Sequence, residues 1–192
     1  MSNRTCGQAG IRLDDAISGT LIYGNVFRNC SRGQFGGIQI HGGKDNWIDN
    51  NIFLDCRYGI SFSSWGKERW SKFLASDGIV TELTTKVDIS KPPYSTRYPA
   101  LNRLAEGNDI NMIWRNVAYN CGDFLVRDQG IQNLIGNYAT QKDPGFVDAA
   151  GGNFALNGDS QVLDEIGFQP IPFGEIGLYE DEFRAAGSAL RM

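Results

Sequence analysis

The chain has 192 residues, a formal net charge of −4, 41% hydrophobic residues and 24 glycines. The length fits one domain, and the glycine content suits a turn-rich all-β fold. The acidic balance, with Lys and Arg scattered, removes the electrostatic case for a nucleic-acid partner, and no segment reaches the ~20 apolar residues of a membrane span.

Met1-Ser-Asn-Arg-Thr-Cys6 is followed by no apolar stretch of the signal-peptide kind. A strand phrase begins almost at once, without the polar cap that a terminal repeat needs, so the chain is expected to start inside a repeat array whose N-terminal coils are missing. Gly10-Ile-Arg-Leu13-Asp-Asp15 alternates apolar and polar residues, the period of a strand with one buried face. It is echoed by Gly37-Ile-Gln-Ile40-His-Gly42, by Gly59-Ile-Ser-Phe62-Ser-Ser64 and, loosely, by Asp123-Phe-Leu-Val126-Arg-Asp128.

A second phrase alternates with the first. Ile22-Tyr-Gly-Asn25-Val26-Phe27-Arg-Asn-Cys30 returns as Ile48-Asp-Asn-Asn51-Ile52-Phe53-Leu-Asp-Cys56, as Ile113-Trp-Arg-Asn116-Val117-Ala-Tyr-Asn-Cys121 and, faintly, as Leu134-Ile-Gly-Asn137-Tyr138. Asn25 and Asn51 are 26 residues apart and Asn116 and Asn137 are 21 apart, repeat lengths within the ~20–50 range of solenoids. Both phrases fit a right-handed parallel β-helix, with coils at 7–64 and 109–142 whose equivalent side chains stack in columns roughly 4.8 Å apart. The asparagines then form a turn ladder, and Cys30, Cys56 and Cys121 a stack of reduced thiols. No Cys-x-x-Cys pair suggests zinc.

From Ile38 to Ile48 is 10 residues, whereas the matching step from Ile60 to Ile113 is 53. An insertion over 65–108 accounts for the difference, with short helices expected at Glu68–Leu74 and Leu101–Ala105; long excursions of this sort are commonly functional. Residues 143–180 lose the coil phrases but keep apolar anchors and are expected to close the open end of the solenoid, leaving 181–192 as a tail.

With Ile11 and Leu13 inward, Asp14, His41, Ser63 and Arg127 fall in one outward column, Asp15, Gly42, Ser64 and Asp128 in the next, and Arg12, Gln39 and Ser61 in a third. The insertion leaves beside them. Such a surface suits a polysaccharide or oligosaccharide: Asp14 and Asp15 as acid, base or nucleophile, His41 tuning Asp14, and Arg12, Gln39, Lys44, Trp65, Arg69, Trp70 and Arg127 binding substrate. The opposing readings are structural. An Asp-Asp pair ends strands as a turn former, a lone histidine serves a structural hydrogen bond, and Trp65 and Trp70 pack the insertion onto the coil. No cofactor is required; Asp14, Asp15 and Asp45 form an acidic set open to calcium, although not at a recognised loop spacing.

Gly10-Ile-Arg-Leu-Asp-Asp15 with Ser18-Gly19, Ile40-His-Gly-Gly43-Lys-Asp-Asn46, Asn50-Asn-Ile-Phe53, Arg97-Tyr-Pro-Ala-Leu101, Asp143-Pro-Gly-Phe-Val-Asp148 and Ile176-Gly-Leu-Tyr179 together resemble the C-terminal half of bacterial right-handed parallel β-helix proteins. The likeness covers roughly residues 10–180. That group is similar to pectate-lyase-like proteins and to β-helix glycoside hydrolases of the fucosidase and xylanase kind, and many members have no assigned activity. The resemblance implies that the Leu-Asp-Asp and His-Gly-Gly segments line a carbohydrate groove, and that the protein is secreted or periplasmic. It also implies longer chains on the N-terminal side, whereas here no acidic residue precedes Asp14. The expectation is a glycoside hydrolase on a plant or algal polysaccharide. A non-catalytic carbohydrate-binding or structural solenoid and a polysaccharide lyase are the alternatives, and homo-oligomers are expected through the exposed edge of residues 1–23.

Overall fold

A computed structural model describes residues 9–31, 33–107, 110–127 and 132–176. Cys6 with the rest of residues 1–8, Asp128 and the segment after Ile176 therefore lie outside the described residues. Twelve short strands form three parallel sheets of four, each coil giving one strand to each sheet. The first coil supplies β1 (Ile11–Leu13), β2 (Leu21–Tyr23) and β3 (Val26–Arg28), and the second β4 (Ile38–His41), β5 (Trp47–Asp49) and β6 (Ile52–Leu54). The third supplies β7 (Tyr58–Ser63), β8 (Asn111–Trp114) and β9 (Val117–Tyr119), and the fourth β10 (Asp123–Val126), β11 (Gln132–Ile135) and β12 (Tyr138–Thr140). The order β1-β4-β7-β10 repeats as β2-β5-β8-β11 and β3-β6-β9-β12, an arrangement compatible with a parallel β-helix.

The register follows the sequence phrases. Ile11 pairs with Ile38 and Ile38 with Ile60, while Leu13 pairs with Ile40 and Ile40 with Phe62. Ile22, Ile48 and Ile113 form the inward column of the second sheet, and Phe27, Phe53 and Ala118 that of the third. Phe27 and Phe53 stack with centroids 5.0 Å apart. Each such side chain removed from water contributes about 2 kcal/mol. Cys30, Cys56 and Cys121 are reduced thiols at one coil corner. Contact with the Cys121 thiol, and then burial, push the Cys56 thiol up, so it stays protonated.

The fourth coil departs from expectation by one residue. Leu125 pairs with Ile60 and Val126 with Ser61, so Arg127 does not share the column of Asp14 and His41. Asp123-Phe-Leu-Val126 lacks the polar/apolar alternation that fixes register. The observed pairing directs Leu125 to the core and sets Phe124 edge-on to Phe53 at 6.2 Å.

The asparagine column is a continuous amide ladder. Nδ2 of Asn25 donates to Oδ1 of Asn51 (3.1 Å), Asn51 to Asn116 (3.0 Å) and Asn116 to Asn137 (2.9 Å), and each of these acceptors also takes a backbone N–H from the coil before it. A second ladder, absent from the sequence expectations, runs from the Thr20 N–H through Asn46 to Asn111.

Of the segment 143–180, expected to close the open end, the described residues 143–176 lie against the outside of the coil. The antiparallel hairpin β13 (Phe146–Asp148) and β14 (Asn153–Leu156) and a helix at Gln161–Ile166 pack along the outward face of the third sheet. They meet Ile52, Leu54 and Val117 there through Phe146, Val162, Phe168 and Ile171. That face is apolar across successive coils, so covering it buries more surface than covering one open edge would.

Asn116 is fully buried and occupies the ladder centre. Asn116→Ala is expected to lower unfolding free energy by about 3 kcal/mol, because buried partners lose their bonds, and Asn25→Ala at the half-exposed end by about 1 kcal/mol. Urea denaturation of both variants measures the contrast.

Candidate functional site

The turn after β1 brings the charged groups together. Asp14 leaves the strand facing outward, level with His41 of the next coil, and Oδ1 of Asp14 lies 2.8 Å from Nδ1 of His41. Strand alternation would send Asp15 elsewhere, but its φ of 46° breaks the strand. Its carboxylate consequently returns to within 3.5 Å of the same ring nitrogen. A ring nitrogen facing two carboxylates, which only accept, is the donor of the pair.

Asp14 is held as an anion. The His41 hydrogen bond, foremost, outweighs the opposing desolvation, and the Arg12 bond at 2.9 Å and the Asp15 N–H at 3.1 Å add to it, so its carboxyl is held below the usual value of 3.8. All three bonds end on Oδ1, and Oδ2 has no partner among the described residues.

The insertion walls one side. It begins with α1 (Gly66–Leu74), continues through α2 (Asp77–Val80), a π-helical turn at Thr81–Lys86 and α3 (Tyr94–Arg97), and ends in a 3₁₀ helix at Pro99–Glu106. Trp70, Phe73 and Leu74, spaced three and four apart on α1, pack with Trp65, Leu104 and Ala16. Trp65 meets the His41 ring edge-on at 5.7 Å. A Cβ on Gly42 would come 2.7 Å from the Trp65 ring, and Gly42 has φ of 69°. Gly43 has φ of 93°, and a Cβ there would fall 2.2 Å from the Ile17 carbonyl oxygen. The Gly-Gly pair after His41 is thus required both by backbone conformation and by close approach.

The other expected substrate residues divide into two groups. Arg12 joins the cluster through Asp14, and the Arg69 guanidinium lies 3.8 Å over the Trp65 ring at its margin. Gln39 is fully buried, accepting from Ser61 Oγ and Arg127 and donating to Ser63 Oγ. Phe35, which the sequence reading missed, lies 5.3 Å from the Arg12 guanidinium and 5.5 Å from that of Arg127. Its only sequence signal is the following Gly36-Gly37, a mark of close backbone approach.

Trp70 is 3% exposed, and its indole N–H donates to the Leu104 carbonyl at 2.7 Å. It packs the insertion onto the coil and offers no open face. Lys44 is likewise away from the cluster: its ammonium is buried and donates to the Arg103 carbonyl at 3.0 Å.

Asp14, Asp15 and His41 each offer a ligand atom within 4.8 Å of the others, a spacing that could hold a divalent ion. Asp45 is not part of this group and lies beside Lys44 at 3.9 Å, so the acidic set Asp14, Asp15 and Asp45 is not assembled. With a histidine in place of the third carboxylate, the donor set suits an imidazole-binding metal better than calcium, which takes oxygen ligands.

Comparison with protein-family models, with curated proteins and with solved structures finds no match. No helix among the described residues is long and apolar enough to cross a membrane.

Because the folded carboxyl of Asp14 titrates below its ordinary value, its contribution to stability is present above that value and fades as pH falls through the folded one. His41→Asn is expected to move the Asp14 midpoint upward toward 3.8. Carboxyl-detected NMR titration checks this, and an unmoved midpoint would make Arg12 the dominant partner.

Proposed function

We propose that the chain is a carbohydrate-active member of the right-handed parallel β-helix proteins of the pectate-lyase-like kind, acting as a glycoside hydrolase on a plant or algal polysaccharide outside the cytoplasm. The observation that carries the reading is the Asp14–His41–Asp15 cluster, three ionisable groups within 4.8 Å on the outward side of a rigid sheet, beside a helical wall. The motif resemblance and the stacked parallel sheets support it.

In this reading Asp14, kept ionised by His41 and Arg12, attacks the anomeric carbon or activates water through its uncommitted Oδ2. Asp15, the most exposed of the three, exchanges the proton with the leaving oxygen. Two carboxylates this close fall nearer the about 5–5.5 Å of retaining glycosidases than the about 6.5–9.5 Å that leaves room for water between them. His41 is a positioning residue for both, and Arg12 and Arg69 orient sugar hydroxyl or acidic substituents.

Assay against a panel of plant and algal polysaccharides tests the reading. Asp14→Asn is expected to reduce reducing-end release by at least about 10³-fold while glycan affinity persists, and Asp15→Asn by about 10²-fold or more. An ultraviolet-absorbing unsaturated product would select a lyase instead. Full activity in both variants would remove the cluster from the chemistry.

A further inference from the structure

A cavity of about 280 Å³ opens between turns of the first two coils and the 3₁₀ end of the insertion, lined by Ser18, Gly19, Lys44, Asp45, Tyr98 and Leu101 among others. Lys44 stands out there. Burying an ammonium is costly unless its donors are met, and only 7% of this side chain is exposed. Among the described residues it has one hydrogen-bond acceptor, the Arg103 carbonyl, for three N–H groups. That bond pins the 3₁₀ helix to the second coil and explains one donor.

The carboxylate of Asp45 is 3.9 Å from Nζ, an ion pair too long for a hydrogen bond. The cavity thus presents a cation rich in donors and, beside it, a carboxylate that only accepts. Two neighbouring hydroxyl groups satisfy both, one accepting from Lys44 and one donating to Asp45. Tyr98 is 54% exposed and, with Leu101, gives the same cavity an aromatic and apolar wall. A ring with hydroxyls on its edge and C–H groups on its face matches that combination. The volume falls just below the roughly 300 Å³ at which drug-sized sites begin, so one ring fits and a chain does not.

We infer that this cavity is a saccharide subsite distinct from the Asp14–His41 cluster, holding one neutral pyranose by a vicinal diol between Lys44 and Asp45 with its face on Tyr98. The choice of a sugar rests on the carbohydrate reading above, but the subsite does not depend on any catalysis. It would hold a branch or a distant unit of the glycan while the chain passes the cluster.

NMR titration of the full chain with the methyl glycosides of glucose, galactose, mannose and xylose tests the inference, with cyclohexanol as a ring that lacks the diol. At least one glycoside is expected to bind with a millimolar dissociation constant and to shift resonances of Tyr98 and Gly19, whereas cyclohexanol does not saturate. Tyr98→Ala, at an exposed position, and Asp45→Asn, a near-isosteric change at a half-exposed one, are expected to weaken that binding by about tenfold or more with circular dichroism unchanged. Asp14→Asn is expected to leave it intact, which separates failure of this subsite from failure of the hydrolase reading. No saturable binding by any glycoside, binding unaltered in Tyr98→Ala and Asp45→Asn, or equal binding of cyclohexanol would each overturn it.

Discussion

The in-register stacking of coils, enforced by the Asn25–Asn51–Asn116–Asn137 ladder with its two central amides buried, is the constraint on which the rest of the molecule depends. Each internal amide accepts from the coil before it and donates to the coil after it, so a one-residue slip would strand several buried polar groups at once. Hydrophobic columns alone would tolerate more sliding, since Ile38, Ile40 and Ile60 are near-equivalent knobs. The polar ladder selects one register, and that register sets Asp14 beside His41.

It also lets the third coil carry a long insertion without losing its place. β7 ends at Ser63 and β8 resumes at Asn111, yet the Asn46 amide bonds to Asn111 across 65 residues of sequence. With both ends anchored, the intervening helices are free to fold back on the coil. Their core of Trp65, Trp70, Phe73 and Leu104 settles on Ala16, and the same insertion meets both the charged cluster, through Trp65, and the Lys44 cavity, through Tyr98 and Leu101.

What could be read in advance follows from this. Columns that repeat along the chain were legible, because repetition maps onto adjacency: the inward isoleucines, the asparagine ladder, the cysteine corner and the Asp14–His41 contact. Residues whose neighbours come from the insertion were not, since no repeat says where Leu104 or Arg103 will lie. Trp70 and Lys44 look like surface ligands in the sequence and are buried by those partners. Arg127 failed for a different reason: the strand before it, Asp123-Phe-Leu-Val126, is apolar after its first residue, so the period that fixes register elsewhere is missing. Covering of the third sheet was hidden because Ile52, Leu54 and Val117 alternate with other apolar residues and do not announce a second, outward-facing surface.

Backbone conformation separates structural turns from the site. Most non-glycine residues at positive φ are Asn or Asp at coil corners, such as Asn29, Asn50, Asp55 and Asn120, the types that tolerate the left-handed region through local hydrogen bonds. Ala16, Arg115 and Arg127 do not belong to that class, and each is held by a specific partner. Arg115 is bound through two nitrogens to the Asp49 carboxylate, Arg127 donates to the buried Gln39, and the methyl of Ala16 is enclosed by Trp65 and Trp70. An asparagine at position 16 would ease the backbone but bury an amide against two indoles, a larger penalty than the strain it relieves. The left-handed pair Asp15-Ala16 is therefore stabilised from outside by the insertion, and it is this pair that turns the second carboxylate toward His41. Loop and cluster are one unit: the wall that shields the site also supplies the packing that bends the chain into it.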